Sequence, residues 1–341
     1  MVYQVIDREL LLPAYKRFIV QPLLPAIPAT VHPNTLTHIA HLCCLAAATL
    51  LCAFQPSRGW LLILAMLLAN AYVWLDNADG GHARRTGRAS LYGEVLDHGL
   101  DILNAAYMGL ILARTLGADA AWTVVVAAAS TASMAVNTWE QAQTGIFQLG
   151  RIQQVEFAFA LSVLMVASAW LGTDYWAGTV VGPVTLQAVL LACVPLAVFS
   201  GMVQSVLRVR KTAAPWLAVS GYMLLVAALT ALGVRGDMPA LVAVLLVTLV
   251  SGAFGARMLL HRVRGEQARI GASYGVWATL LCLALAVGAS GWTALLGGLV
   301  GMLYAAAAFR AAWALRATAG VADLSLAKAA ATSVANGAQP M

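Results

Sequence analysis

The stretch DNADGGHARRTGRASLYGEVLDHGLD, residues 76–101, lies where two long apolar segments of the chain meet, and it decides the fold. It carries two pairs of aspartates, Asp76 with Asp79 and Asp97 with Asp101, spaced by three and four residues. On an α-helix either spacing places both carboxylates on one face. If the two faces meet, the carboxylates repel one another unless cations neutralise them. Oxygen ligands of this kind suit Mg²⁺, Mn²⁺ or Ca²⁺ rather than Zn²⁺.

Small and basic residues within this stretch add to the prediction of a site. Gly80 and Gly93 are expected where two helices come close or where a ligand reaches the backbone. Arg84 follows Gly80 by four residues, so it shares that helix face and can reach a phosphate group.

The composition indicates a membrane protein. Of the residues, 61% are apolar and 10% are charged, whereas a soluble domain carries about a quarter charged residues. A chain of 341 residues accommodates about ten spans of about 20 residues each. We therefore predict an all-α polytopic membrane helical bundle, with no nucleic-acid partner. The predicted spans are 35–54, 59–79, 92–115, 119–139, 152–172, 182–207, 215–234, 239–260, 271–290 and 292–315.

The N-terminal part mixes basic residues with apolar bulk. Residues 3–29 are predicted to form an amphipathic helix in the membrane interface, broken near Pro22, Pro25 and Pro28. Asn34, before the first span, is a candidate helix cap. The domain organisation is then an interfacial segment (1–30), a catalytic core (31–172), additional membrane helices (173–316) and a loosely ordered tail (317–341).

The basic residues predict the orientation of the chain. With ten spans and a cytoplasmic N-terminus, 17 of the 20 lysines and arginines fall on one side of the membrane. Positively charged loops face the cytoplasm. The site at residues 76–101 is therefore expected on the cytoplasmic side.

Eight positions with fixed spacing carry a resemblance to a known family. The pattern DxxDGxxARx8GxxxDxxxD is identified as the signature of the CDP-alcohol phosphotransferases. The neighbouring sequences ARRT and GEVLDHGLD resemble the choline/ethanolamine phosphotransferase branch, although Gly81 and His82 stand where that branch has Lys-Gln. The matching positions are Asp76, Asp79, Gly80, Ala83, Arg84, Gly93, Asp97 and Asp101.

The resemblance implies a cofactor and a set of substrate contacts. Two divalent ions, Mg²⁺ or Mn²⁺, would be held by the four aspartates, and Arg84 would bind a phosphate. Gly80 and Ala83 would let the cytidine and ribose lie against the helix. Asn34 and Gly93 are expected near the nucleotide, and His82 is a further candidate neighbour.

Two residues compete for the role of the general base. The family assigns it to the last aspartate, Asp101, whereas the choline/ethanolamine branch carries a histidine at the position of His98. A neutral imidazole suits proton abstraction near neutral pH better than a metal-bound carboxylate. We therefore favour His98, with Asp101 as a ligand or an orienting partner.

A second polar region lies near the start of the fifth predicted span. The branch has a W-x4-TG element and a later glutamate, which Trp139, Thr144, Gly145 and Glu156 match by position. Glu156 could attract an ammonium headgroup or support a metal ligand. Trp139 could add a cation–π contact or anchor the interface.

The expected reaction follows from the resemblance. The protein would transfer phosphoethanolamine or phosphocholine from CDP-ethanolamine or CDP-choline to a lipid hydroxyl such as diacylglycerol or ceramide, with release of CMP. The alternative enzyme uses CDP-diacylglycerol and a small polyol. An ion-coupled transporter is the alternative of another class, although the carboxylates lie towards span ends. The family also implies a homodimer.

Overall fold

The computed structural model describes residues 4–264 except residues 7, 55–58, 149, 151, 211 and 213–215, together with isolated positions between 277 and 317. Apart from those isolated positions, the predicted spans 271–290 and 292–315 and the predicted tail lie outside the described residues.

Eight long apolar helices confirm the predicted helical bundle. Each has the length and composition to cross a membrane, and each matches one of the first eight predicted spans. The helices are α3 (Pro33–Ala53), α4 (Gly59–Thr86), α5 (Leu91–Thr115), α6 (Ala120–Thr144), α7 (Gln154–Leu171), α8 (Leu186–Val209), α9 (Trp216–Val234) and α10 (Ala240–Val263).

Helix α4 is longer than its predicted span, because it continues beyond residue 79 through the polar part of the motif to Thr86. Gly87 follows with a φ of 65°, a left-handed conformation that favours glycine and ends the helix. The connection to α5 is therefore short, and Ser90 caps α5 by accepting a hydrogen bond from the Gly93 N–H at 3.0 Å.

Helix α6 lies at the centre of the bundle. It packs against α5, α8, α9 and α10, while α3 packs against α4 and α5, and α4 packs against α7. Trp139 of α6 is fully buried and forms a T-shaped ring contact with Trp216 of α9, and Tyr222 stacks on Phe254 at a centroid distance of 4.1 Å. These contacts fix the helices that surround α5.

The N-terminal segment, defined here as residues 4–32, crosses one end of the bundle. Strand β1 (Gln4–Ile6) pairs in parallel with β2 (Ile146–Gln148), which follows α6. The segment continues as a helical run consisting of α1 (Leu12–Tyr15), a π-helical turn (Lys16–Val20), α2 (Gln21–Leu23) and a 3₁₀ turn (Leu24–Ala26).

The prediction of one helix over residues 3–29 is wrong in part, because residues 4–6 form strand β1 and the helical run begins at Leu12. The run has one buried side and one exposed side. Val20 and Ile27 are buried in a small apolar cluster with Leu36 of α3 and Ala78 of α4. Phe18, in contrast, is 69% exposed. An apolar exposed side beside membrane-length helices is suited to the lipid interface.

The start of α3 corrects one sequence-based prediction. Asn34 does not cap this helix: the cap is His32, whose Nδ1 accepts a hydrogen bond from the Asn34 N–H at 3.2 Å. The helix begins at Pro33, because proline has no N–H to leave unsatisfied at the first helical position. Asn34 lies within the first turn, and its side chain is free of the capping role.

The other end of the bundle carries the remaining short elements. Between α7 and α8 the chain forms a 3₁₀ helix (Thr173–Ala177) and an antiparallel pair, β3 (Thr179–Val181) with β4 (Val184–Thr185). These elements lie at the opposite end of α7 from the N-terminal segment.

Candidate metal and substrate site

Three of the four predicted aspartates converge between α4 and α5. Asp76, Asp97 and Asp101 each offer a carboxylate oxygen, and these oxygens all lie within 4.8 Å of one another. We call these three residues the carboxylate cluster. The two helices come together here because the connection between them is short and the first turn of α5 is capped.

The carboxylate cluster has the features of a cation site. The Oδ1 atoms of Asp97 and Asp101 are buried and have no hydrogen-bond partner. In the part of the chain that the structure describes, no ion pair includes any residue of the cluster. Buried carboxylates without compensation are costly, so the donor set fits a divalent cation that prefers oxygen ligands.

The fourth predicted ligand, Asp79, has a different environment. The Thr37 hydroxyl of α3 donates a hydrogen bond of 2.6 Å to Asp79 Oδ2, and both residues are buried. Asp79 is not part of the 4.8 Å group. Its carboxylate is therefore oriented by α3, and its role as a metal ligand stays a prediction.

A glutamine from a third helix contacts the cluster. The Gln154 Nε2 atom, in the first turn of α7, donates hydrogen bonds to Asp76 Oδ2 at 2.8 Å and to the Tyr72 hydroxyl at 2.9 Å. Its Oε1 accepts from Asn77 Nδ2 at 2.9 Å. Tyr72 in turn lies within reach of the Asp101 carboxylate.

The candidate base, His98, is buried beside α6. Its Nδ1 is 3.2 Å from Gln141 Oε1, and its ring lies 4.6 Å from the ring of Phe147. The amide oxygen can accept a hydrogen bond from an Nδ1–H group, and in that tautomer the lone pair of the neutral ring is on Nε2. A small cavity at this position is lined by His98, Gln141, Glu94 and Arg262, with apolar walls from α5 and α10.

The predicted substrate contacts lie near the end of α4. The Arg84 side chain is exposed, and a Cβ placed on Gly80 would be 3.5 Å from its Nη1 and within 4 Å of no other atom outside the helix. The helix surface at Gly80 is thus open, while Ala83 is buried. Gly93 is needed for a close contact, because a Cβ there would lie 2.9 Å from Asn34 Oδ1.

The N-terminal segment lies close to this site. Leu11 N–H donates a hydrogen bond of 2.7 Å to Glu156 Oε1. Burial and, to a lesser extent, the nearby Asp76 carboxylate raise the pKa of Tyr15 to about 12. Tyr15 is therefore neutral at physiological pH and brings a hydroxyl group, not a charge, towards the cluster.

Three candidates from the sequence have structural partners instead of an open surface. Both Glu156 oxygens accept from backbone N–H groups, those of Leu11 and Gln153, so a substrate contact by Glu156 stays a prediction. Trp139 is buried in the core and is not an interfacial anchor. His82 is fully buried, with its ring nitrogens bonded to the Val31 carbonyl and to Arg85.

The sequence analysis missed several residues that contact the candidate site. Thr37 follows Asn34 by three residues and so shares its helix face, a signal that the sequence did contain. Gln141 and Gln154 stood out only as polar residues between two spans. Tyr72 and Asn104, which lie beside Asp101, gave no signal, because single polar residues are common in membrane helices.

The fold and the site together define a class of protein. This is a polytopic membrane protein with a carboxylate cluster at one end of a helical bundle, and the cluster comes from the end of one span and the start of the next. The profile of the CDP-alcohol phosphatidyltransferase family matches residues 30–203, just over half of the chain. The chain belongs to this family.

Curated relatives support the choline/ethanolamine phosphotransferase-like branch. Cholinephosphotransferase 1 of Gallus gallus is 30% identical over 161 residues, or 45% of this chain and 48% of that protein. The Mus musculus protein of the same name is 30% identical over 165 residues, 46% of this chain and 42% of its own length. An uncharacterised CDP-alcohol phosphatidyltransferase class-I family protein of Dictyostelium discoideum is 26% identical over 176 residues, 49% of this chain and 43% of that protein. The chain thus spans about half the length of these relatives.

Proposed function

We propose that the protein transfers phosphocholine or phosphoethanolamine from the corresponding CDP-alcohol to the hydroxyl group of a membrane lipid such as diacylglycerol, with release of CMP. The observation that carries this proposal is the carboxylate cluster, whose buried, uncompensated oxygens lie within the family signature. The names of the cholinephosphotransferase relatives support the choice of donor.

The aspartates of the signature would hold two divalent ions, Mg²⁺ or Mn²⁺. Asp76, Asp97 and Asp101 supply the converging oxygens, and Asp79 would join them through the oxygen that Thr37 leaves available. When bound, such ions neutralise the negative charge of the pyrophosphate and of the departing CMP.

The residues at the end of α4 would bind the donor. Arg84, exposed beside the open surface at Gly80, is placed to form charge-assisted hydrogen bonds with a phosphate. The small side chain of Ala83 would leave room for the nucleoside. Asn34, which lies against Gly93, would contact the nucleotide between α3 and α5.

His98 would take the proton from the acceptor. The hydroxyl oxygen of the lipid attacks the phosphorus that bears the alcohol, and the bond from that phosphorus to the oxygen shared with CMP breaks. The hydroxyl proton moves to Nε2 of His98, whose Nδ1–H stays hydrogen-bonded to Gln141. Asp101 belongs to the carboxylate cluster, so we assign it to the metal and not to the base.

A second candidate function is supported by the description of the family itself. A phosphatidyltransferase would use CDP-diacylglycerol as the donor and a small polyol as the acceptor, and would also release CMP. The same carboxylates and Arg84 would serve this reaction. The two candidate functions therefore differ only in their donor and acceptor, and an assay with both kinds of substrate distinguishes them.

We also propose that the protein forms a homodimer, which rests on the family resemblance alone. The site, we propose, faces the cytoplasm. The eight described spans alternate in direction, which places Arg84, Arg85, Arg88, Arg208 and Arg262 at the end of the bundle that carries the site and Arg114 and Arg235 at the other end. This distribution agrees with the positive-inside rule.

A panel assay tests the reaction. The purified protein in mixed lipid–detergent micelles is supplied with Mg²⁺ or Mn²⁺, one donor and one acceptor, and CMP release is measured. The donors are CDP-choline, CDP-ethanolamine and CDP-diacylglycerol, and the acceptors are diacylglycerol, ceramide, glycerol phosphate and inositol. The variant Asp97→Asn serves as the inactive control.

We expect CMP to be released from CDP-choline or CDP-ethanolamine only when diacylglycerol or ceramide is present. Release from CDP-diacylglycerol with a polyol identifies the second candidate function. If no combination releases CMP while the folded protein binds Mn²⁺, both functions are wrong.

A further inference from the structure

We propose that Gln154 is a positioning residue that sets the orientation of two carboxylates of the cluster and thereby the affinity for the divalent cation. This inference rests on the proposed function only in that it takes the cluster to be a cation site. Gln154 is outside the family signature and comes from α7, whereas the cluster residues come from α4 and α5.

The hydrogen bonds of Gln154 use both hydrogens of its amide group. One goes to Asp76 Oδ2 and the other to the Tyr72 hydroxyl, which leaves the hydroxyl hydrogen of Tyr72 for a carboxylate. Tyr72 lies within reach of Asp101. The amide nitrogen of Gln154 thus contacts Asp76 directly and Asp101 through the Tyr72 hydroxyl.

The amide of Gln154 cannot rotate without losing a partner. Its Oε1 accepts from Asn77 Nδ2, whose other hydrogen bond goes to the Val73 carbonyl of the same helix. The donors of Gln154 are therefore held towards the cluster, and the orientation of the amide is fixed by α4.

The backbone that carries Gln154 is also fixed. Gln153 and Glu156 form a reciprocal capping box at the start of α7. The second oxygen of Glu156 accepts from Leu11, so the N-terminal segment is attached to the same turn. Glu156 therefore acts on the site, in this proposal, through the backbone that carries Gln154.

Residues that hydrogen-bond to a metal-binding carboxylate control the affinity of the site for the cation. A hydrogen bond to one oxygen of a carboxylate orients the other oxygen and holds it in place, and loss of such a partner costs about 10- to 100-fold in metal affinity. The variant Gln154→Met keeps the length of the side chain and removes both donors and the acceptor.

The test is the binding of Mn²⁺ to the substrate-free protein, measured from the electron paramagnetic resonance signal of free Mn²⁺. We expect Gln154→Met to weaken binding by about 10- to 100-fold. The control is Ser162→Ala, which removes the 2.9 Å hydrogen bond from Asn70. That bond links the same two helices, α4 and α7, away from the cluster, so Mn²⁺ affinity should not change.

A second variant keeps the proposal testable if Gln154→Met fails to fold. Asn77→Ala removes the group that holds the Gln154 oxygen but leaves the donors in place, and should weaken Mn²⁺ binding by about fivefold. Wild-type affinity in folded Gln154→Met or Asn77→Ala, or an equal loss in Ser162→Ala, overturns the proposal. Because no CDP-alcohol is present, a failure of the transferase reaction does not affect this result.

Discussion

Two groups of carboxylates with buried oxygens in this bundle, Glu140 and the carboxylate cluster, have different surroundings. Glu140 of α6 is 2% exposed and forms a bidentate pair with Arg208 of α8, with the Arg208 Nη2 atom 2.8 Å from Glu140 Oε2. Arg208 also donates to Ser205 at 3.2 Å. The charge of Glu140 is thus compensated within the chain, between two neighbouring helices.

The carboxylate cluster has no such compensation. Its three residues form no ion pair in the described part of the chain, and two of their buried oxygens have no hydrogen-bond partner. Its side-chain hydrogen-bond partners among the described residues, Gln154, Tyr72 and Asn104, are neutral. The comparison shows that burial alone does not identify a site: Glu140 has its own arginine and links α6 to α8, whereas the carboxylate cluster has no arginine or lysine partner among the described residues, as expected of a cation site.

The largest expected effect comes from removing a cluster carboxylate. Asp97→Asn deletes one charge of the cluster, and the loss of about 4 kcal/mol of transition-state stabilisation lowers the rate of CMP release by about 10³-fold. The rate is measured at saturating Mg²⁺ with the preferred donor and acceptor.

The same variant also tests whether the carboxylate cluster stabilises the fold, as the Glu140–Arg208 pair is expected to do. In EDTA, Asp97→Asn should unfold at the same temperature as the wild type or higher, because an uncompensated buried charge is removed. A marked loss of stability in EDTA would show that the cluster is a structural element like Glu140, and the comparison would fail.

Next in size is the effect of replacing His98. If the carboxylates serve the cations, proton abstraction is left to His98, and His98→Gln lowers CMP release by about 10²-fold. The remaining activity should increase with pH, because hydroxide must then take the proton. Near-normal turnover with an unchanged pH profile would return the role of the base to Asp101.

Breaking the ion pair should affect stability and not metal binding. Arg208→Ala leaves Glu140 buried and unpaired, which lowers the free energy of unfolding by about 3 kcal/mol. Thermal unfolding in detergent measures this change, and Mn²⁺ affinity should stay at the wild-type value. Adding Glu140→Gln to this variant removes the unpaired charge and should restore part of the stability; if it does not, the pair is not what stabilises the contact between α6 and α8.

The smallest expected effect concerns Asp79. Thr37→Val removes the 2.6 Å hydrogen bond to its carboxylate with little change in side-chain volume, and a loss of about 1 kcal/mol corresponds to about a fivefold weaker Mn²⁺ affinity. The matched control is Thr131→Val, since the Thr131 hydroxyl is buried against the Ile102 carbonyl at 2.7 Å. Equal Mn²⁺ affinities in the two variants would show that Asp79 is not a ligand.

Much of this fold could be predicted from the sequence because the lipid environment makes the signal simple. Long apolar segments must be helical, since every backbone group needs an internal partner in a membrane, and the first eight predicted spans all fall on helices. The predicted span 59–79 gives only the apolar part of α4, and the helix continues to Thr86 because a helix does not end where it leaves the apolar layer. The cap of α3 was assigned to Asn34, although Pro33 already marked the first helical position.

The candidate site could be predicted only where its residues lie on adjacent helices. The spacing predicts that each pair of aspartates shares a helix face, and the resemblance adds that the two faces meet. Asp76, Asp97 and Asp101 do converge, whereas Asp79 lies outside the group. Thr37 shares a helix face with Asn34 and could have been predicted from that spacing. The contacts of Gln141 and Gln154 could not, because they depend on the packing of α6 and α7. Nothing in the sequence distinguishes Glu140 from a site residue, since its partner Arg208 lies 68 positions away.

The pairing of β1 with β2 has a consequence for how the protein is made. Gln4 lies opposite Ile146, and α3, α4, α5 and α6 are all synthesised between them. Leu11 must likewise wait for Glu156 at the start of the next span. During translation, therefore, the helices that carry the aspartates are made first, and the N-terminal segment forms its contacts with β2 and Glu156 only after four membrane crossings are complete.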